Sequence, residues 1–500
     1  MDSERRMNEN QKQDHSMDRG QDRKQNEREI VLDLLMKTEH SGTHSHVLVR
    51  RALDRCGDLE DAQRSFIKRL YEGTLERQIE LDRIIDRHLK DPSIRLKQAV
   101  RCVLRMSLYQ IYYMDAVPDY AVLNEAGNLL RRRGLAAQVR FVNGVLRTVL
   151  REKESGADPL ASQGEETPLS VRYSMPPLMI SIWEKQYGKE ETEALLQSLL
   201  EIRPVTIRID ERLSQAQAEE LIRGLKEAGA DPQPAGLFPY ARTIRGGGKV
   251  TGLPGFAEGL FTVQDLSSMT VAEAAGIGGG ETIFDLCAAP GGKSVHCASK
   301  LLALAEREGK PAGRVYAFDV SADKIRMIRE NAQRMKTDNV ICGVRDARSV
   351  SDQTSEKADI VLCDVPCSGL GVIGRKRDIK YHVSREKLTS LTYLQKEILR
   401  GAVHCVKKGG VLIYSTCTIH RAENEEMARF IQEELGFEPD PLFPHLPEEL
   451  RKDFMSWKPH GSRGSLQLKR DPDGNMLQLL PHRHASDGFF VARFRRRLHE

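Results

Sequence analysis

The stretch TIFDLCAAPGGKS (Thr282–Ser294) reads as a short buried strand that breaks into a glycine-rich turn and resumes as a helix. Four more apolar runs follow at intervals, RVYAFDVS (314–321), NVICGVRDA (339–347), DIVLCDVPC (359–367) and GVLIYSTC (410–417). Each ends in polar or glycine-rich sequence and leads into a helical pattern, and this alternation predicts a mostly parallel sheet covered on both faces. In such sheets a ligand lies beyond the carboxyl ends of the strands, so the strand ends are where function has to be read.

Working outward, the 500 residues exceed one hydrophobic core and predict several domains. With 40% hydrophobic and 30% charged residues the composition is that of a globular chain and excludes a rod, a collagen and wholesale disorder. No window resembles a membrane span or a secretory signal, and a cytoplasmic protein is expected. Seventy-six basic against 72 acidic residues leave a net charge of +4, so any nucleic-acid surface has to come from local clusters. The nine cysteines contain no CxxC pair, which suggests free thiols and neither a disulfide framework nor a metal site.

Residues 1–26 hold no Val, Ile, Leu or aromatic and carry 12 charges, six of each sign, as expected of a disordered tail. From 27 to 154 apolar residues recur at helical spacing and predict an all-α domain of five to seven helices. A polar stretch broken by Gly and Pro, 155–169, reads as a linker. Residues 170–262 mix helices with short strands, a small α/β module, and 263–500 form the strand–helix domain.

At the strand ends, Gly291 and Gly292 let the backbone pass close to a bound molecule before the helix near Ser294. A phosphate-binding GxxxxGKS loop would need glycine at 287, where the chain has Cys287. Asp319 ends the second strand, where a carboxylate accepts hydrogen bonds from ribose hydroxyls, although an Asp there is also a common helix cap. Asp346 follows the third strand and suits an adenine amino group, its plainer reading being a turn aspartate. Together these describe an adenosine-containing cofactor.

The fourth and fifth strands end in Asp364-Val365-Pro366-Cys367 and Ser415-Thr416-Cys417, two thiols on adjacent strand tips. Taken singly, each reads more readily as a small buried hydrophobe. The chemistry that needs a thiol beside an adenosyl cofactor is methylation of a pyrimidine C5, a carbon that becomes nucleophilic only after a thiolate adds to C6. Asp364 is placed to stabilise charge developing at N3. Spacing alone does not choose between the two thiols.

The chain resembles the bacterial 16S rRNA (cytosine-C5) methyltransferase B family, also called RsmB, Sun or Fmu. DLCAAPGGKS, DVPCSGLGVIGRKRDIK, YSTCTIHRAENE and DGFFVARFRR carry the resemblance, while VPDYAVLNEAGNLLRRRG and RFVNGVLR resemble NusB. The resemblance implies an all-α NusB-like domain, a small α/β RNA-binding-like subdomain and a Rossmann-like class I methyltransferase domain that uses S-adenosylmethionine. It implies a cofactor site at Cys287, Ala288, Ala289, Pro290, Gly291, Gly292, Lys293, Asp319, Asp346 and Asp364. It implies Cys417 as nucleophile, with Cys367 helping to release the product. Val365 stands where Ala or Pro is usual and could narrow the pocket for the target base.

The expected partner is 16S rRNA, with no membrane, DNA or metal, and the expected state is a monomer. Basic clusters fit that partner at Arg131-Arg132-Arg133, at Arg147 with Arg151 and Lys153, at Arg375-Lys376-Arg377 with Lys380, and at Arg493 with Arg495-Arg496-Arg497. The Arg375–Lys380 patch, next to the first thiol, is the one expected to touch phosphates near the target base. The alternatives are a tRNA cytosine-C5 methyltransferase and a non-catalytic RNA-binding or antitermination factor.

Overall fold

A computed structural model describes residues 26–498 apart from 41–42, 90, 92, 161–165, 350–353 and 457–473. The expected disordered tail, apart from Asn26, lies outside the described residues. The chain divides into two compact units, 1–167 and 168–500.

In the first unit the helical spacing of apolar residues produces seven α-helices among the described residues: Glu27–His40, Ser45–Arg55, Asp61–Glu76, Gln78–Arg87, Gln98–Tyr113, Asp119–Arg132 and Val139–Glu154. Helix Gln98–Tyr113 is apolar on nearly every side and is buried at almost every position from Ala99 to Ile111, as a central helix must be. Its one buried cation, Arg105, is neutralised by Asp82 at 2.7 Å and Glu39 at 2.5 Å, which meets the condition for burying a charge. The core around this helix draws only on residues between Ile30 and Val149.

The second unit begins with helices Leu169–Arg172, Pro177–Tyr187 and Lys189–Leu199. A four-stranded antiparallel sheet follows, β1 (Val205–Ile209), β2 (Ala230–Pro234), β3 (Ala241–Gly246) and β4 (Phe261–Val263), in the order β2-β3-β1-β4. Ile207, Ile209 and Ile244 pack in one core with Leu221 and Leu225 of helix Gln215–Glu227. The side chain of Arg208, which alternates to the other face, is fully buried and donates to Gln264 at 2.8 Å. Its charge acts on His296 of helix Gly292–Glu308, and β1 is buried from Thr206 to Ile209.

The larger sheet consists of β5 (Thr282–Asp285), β6 (Arg314–Asp319), β7 (Val340–Val344), β8 (Ala358–Asp364), β9 (Val406–Thr416), β10 (Glu438–Pro439), β11 (Met476–Leu479) and β12 (Phe489–Arg495). Its order is β10-β12-β9-β8-β5-β6-β7, with β11 on β12. β9, β8, β5, β6 and β7 run parallel, and β12 is antiparallel to β9. The chain builds outward from β5 through β6 to β7, then returns to the other side of β5 for β8 and β9. The strand order therefore reverses between β5 and β8, and the crevice beyond their carboxyl ends is the binding position of a Rossmann-like fold. No described helix is long and apolar enough to cross a membrane.

Because the two cores share no residue, damage to one should be local. Leu104→Ala, at a fully buried position of the first unit, should cost about 2–5 kcal/mol in urea unfolding of that unit. Calorimetric cofactor binding by the second unit should be unchanged.

Candidate active site

The turn after β5 places its groups as the parallel sheet requires. Gly291 has φ 103°, a left-handed conformation that favours glycine, and it starts helix Gly292–Glu308. A Cβ added to Gly292 would meet no atom within 4 Å, so there is open space beside the loop. Asp285 is buried at the base of this turn, its Oδ2 accepting from Ser294 Oγ at 2.6 Å, and burial pushes its carboxyl up to about 6. Burial also pushes the Cys287 thiol up, which makes it an inert liner.

At the tip of β6 the cap of helix Ala322–Arg334 is made by Ser321, which accepts from Lys324 N. That frees Asp319 from the capping role: its oxygens have only longer contacts, Ser321 N at 3.3 Å and Lys324 Nζ at 3.4 Å. The next residue, Val320, is apolar yet 62% exposed. A buried carboxylate for a diol, an exposed apolar face beside it and an open glycine loop together suit an adenosyl ligand. Asp346 is engaged locally, accepting from Arg348 N at 3.0 Å and pairing with the Arg348 guanidinium at 2.6 Å, which holds its carboxyl below the usual range.

The parallel register pairs Asp364 of β8 with Ser415 of β9, so the residues just past both strands come together. Cys367 and Cys417 lie with their sulfurs 3.3 Å apart, each half-buried. Asp364 accepts from Ser415 Oγ at 2.9 Å and pairs with Lys293 Nζ at 2.7 Å. Burial would lower the Lys293 ammonium, but Asp364, with Cys417 and Asp285, more than offsets this and the net shift is upward. Lys293, expected only to bind cofactor, thus reaches the thiol side of the crevice, and its charge acts on Cys417.

The hydrogen bond from Cys367 lowers Cys417, against burial, with Lys376 and Lys293 acting in the same direction. Cys367 is raised by its bond to Cys417, by burial and by the carboxylates Glu423 and Asp364. Val365 is 3% exposed and belongs to the core that holds Leu286 and Tyr414. Helices Pro177–Tyr187 and Lys189–Leu199 brace the site from behind: Trp183 and Leu196 share a core with Leu370, Ile373 and Ile419, and Tyr187 donates to Ile419 O at 2.8 Å.

In two of the expected basic patches several side chains are engaged by carboxylates or carbonyls. Arg375 is bound by Asp265 and Asp487, both at 2.8 Å, and Lys380 is 2% exposed, donating to Ser174 O at 2.6 Å. Arg493 is buried on Asp440, Ala274 O and Ala275 O, while Arg495, Arg496 and Arg497 pair with Asp440, Glu356 and Glu438. In the first unit Arg132 and Arg133 pair with Glu29 and Asp33. Lys376 remains exposed beside the thiols, and Arg147 is exposed on its helix.

Glu211, Glu273 and His296 bring possible metal ligands within 4.8 Å of one another. The Lys300 ammonium, 2.7 Å from Glu273 and 3.2 Å from Glu211, already supplies the positive charge there. Reading the sequence missed Ser368, Gln395 and Glu423, which form a polar network behind the thiols. Its only signal was the polar run after each cysteine.

Residues 277–495 match the family described as 16S rRNA methyltransferase RsmB/F, and residues 25–151 match the NusB family. The chain is 34% identical to the probable ribosomal RNA small subunit methyltransferase B of Bacillus subtilis, across 94% of this chain and 98% of that protein. It is 32% identical to the probable enzyme of the same name from Synechocystis, across 94% and 99%. Among solved structures, PH0851 superposes with a TM-score of 0.71 at 24% identity over 94% of this chain and 98% of that one. NSun6 from Pyrococcus horikoshii, solved with SFG, gives 0.51 at 23% identity over 65% and 99%.

The raised Asp285 carboxyl has a pH signature. The folded state holds this proton up to about pH 6, whereas the unfolded chain releases it near pH 4, so stability contributed by Asp285 falls as pH rises through that window. The span of about two pKa units corresponds to roughly 3 kcal/mol. Urea unfolding of Asp285→Asn at several pH values should show a flatter profile than the parent between about pH 4 and 6.

Proposed function

We propose that this chain, which belongs to the RsmB/F family of 16S rRNA methyltransferases, methylates C5 of a cytosine in 16S rRNA through a covalent adduct on Cys417. The observation that carries the mechanism is the thiol pair at 3.3 Å, flanked by Asp364 and Lys293. S-adenosylmethionine, when bound, supplies the electrophilic methyl group. The residues that would hold it are the loop Cys287, Ala288, Ala289, Pro290, Gly291 and Gly292, with Asp319 on the ribose, Val320 against the adenine and Asp346 at its edge.

Everything else falls to the protein's own side chains. Cys417 attacks C6, and the electron pair of the C5–C6 double bond moves onto C5 and toward N3. The Lys293–Asp364 pair holds a proton where that charge develops, in a site sheltered enough for the charge to count. Once the Cys417 sulfur is bonded to carbon it no longer needs the Cys367 hydrogen bond. Cys367 then loses its proton to solvent and takes the C5 proton of the adduct. The double bond re-forms, the sulfur–C6 bond breaks, and Cys417 departs as a thiolate that again accepts from Cys367. The target base must leave its stack to reach the crevice, and Lys376 is the exposed cation placed to meet its phosphates.

The experiment is transfer of labelled methyl to unmodified 16S rRNA and to unmodified bulk tRNA, with bisulfite mapping of the product. Label at a single rRNA cytosine is expected, and label on tRNA alone would overturn the substrate. Cys417→Ala should bind cofactor normally and lose more than about a thousandfold in methyl transfer. Cys367→Ala should accumulate a protein–RNA adduct that survives a denaturing gel.

A further inference from the structure

Two thiols 3.3 Å apart share one environment, so something outside the pair has to decide which of them carries the charge. Glu423 ends the turn Arg421–Glu423, and its side chain is completely buried. Its Oε2 accepts from Ser368 N at 2.8 Å and Gln395 Nε2 at 3.0 Å. Its Oε1 accepts from Ser368 Oγ at 2.5 Å and lies 3.2 Å from His420 Nδ1. Its main-chain carbonyl accepts from Tyr414 at 2.5 Å. Both side-chain oxygens act as acceptors in this network, which meets the hydrogen-bonding condition for burying a carboxylate.

The anion is tied to both cysteines through their next neighbours in the chain. Ser368 follows Cys367, Thr418 follows Cys417, and the two hydroxyls are 2.8 Å apart. The carboxylate is placed unevenly with respect to the pair: it bonds Ser368, next to Cys367, through both oxygens, and Thr418, next to Cys417, is linked to it through the Ser368 hydroxyl.

We propose that Glu423 is the positioning residue that selects the nucleophile: in the resting pair, before Cys417 bonds to carbon, its fixed carboxylate keeps the proton on Cys367 and so leaves Cys417 as the thiolate. The proposal rests on the reading of Cys417 as the attacking group and assigns a cause to that choice. Glu423 touches neither substrate nor cofactor. It works through the Cys367 proton.

The test is alkylation of the full-length protein by iodoacetamide across a pH series, with each cysteine quantified by mass spectrometry. It needs no RNA and no turnover, so its failure is distinct from failure of the catalytic reading, which would show as methyl transfer surviving Cys417→Ala. In the parent protein Cys417 should react at least about tenfold faster than Cys367 near neutral pH. Glu423→Gln keeps the shape and removes the charge, and should reduce that preference by about tenfold. On a Cys367→Ala background the same substitution should leave the Cys417 profile in place, because the route through the Cys367 proton is gone.

An unchanged preference in Glu423→Gln overturns the proposal. So does an equal displacement of the Cys417 profile with and without Cys367, which would make Glu423 a general support. Should Glu423→Gln fail to fold, Glu423→Asp retains the charge on a shorter arm. The preference should then survive within about threefold, and a folded Asp variant that loses it overturns the proposal.

Discussion

Two sulfurs at 3.3 Å in a half-buried crevice cannot both be ionised, because like charges that close repel strongly where water is scarce. Nor does a neutral pair supply a nucleophile. On the proposed mechanism the pair works as one thiolate and one thiol. The parallel strands bring the two tips into register, with Lys293 on Asp364 and the buried Glu423 on Ser368 close by. The bracing helices before the small sheet keep the loops after each cysteine from separating.

The sheet, the glycine loop and both thiols were legible in the sequence because a parallel strand repeats a simple pattern, an apolar run ended by small or polar residues. Side-chain partners were not legible. Lys293 sits in the cofactor loop, and nothing in PGGKS says that its four-carbon arm reaches Asp364 71 positions away. Glu423 looked like one acid in a charged run, and only the fold buries it against Ser368. Asp319 could have been the cap of the next helix, and the structure gives that role to Ser321.

The basic clusters show the opposite error. A run such as RKR or RRR reads as a surface because charge is usually solvated, yet Lys380 and Arg493 are internal ties on carboxylates and carbonyls, and the exposed Arg375 is held by two carboxylates. Their long arms let a cation reach partners remote in sequence. In the small sheet, β2 contains two prolines and reads as a loop, although an edge strand tolerates them.

Whether Cys417 or Cys367 bonds to the target base is decided by incubating the protein and S-adenosylmethionine with a 16S rRNA transcript containing 5-fluorocytidine, whose C5 carries no proton to remove. The stalled adduct is then digested and the modified peptide sequenced by mass spectrometry. The nucleotide is expected on Cys417. A nucleotide on Cys367, or none on either cysteine while unsubstituted RNA is methylated, would rule out Cys417 as the nucleophile.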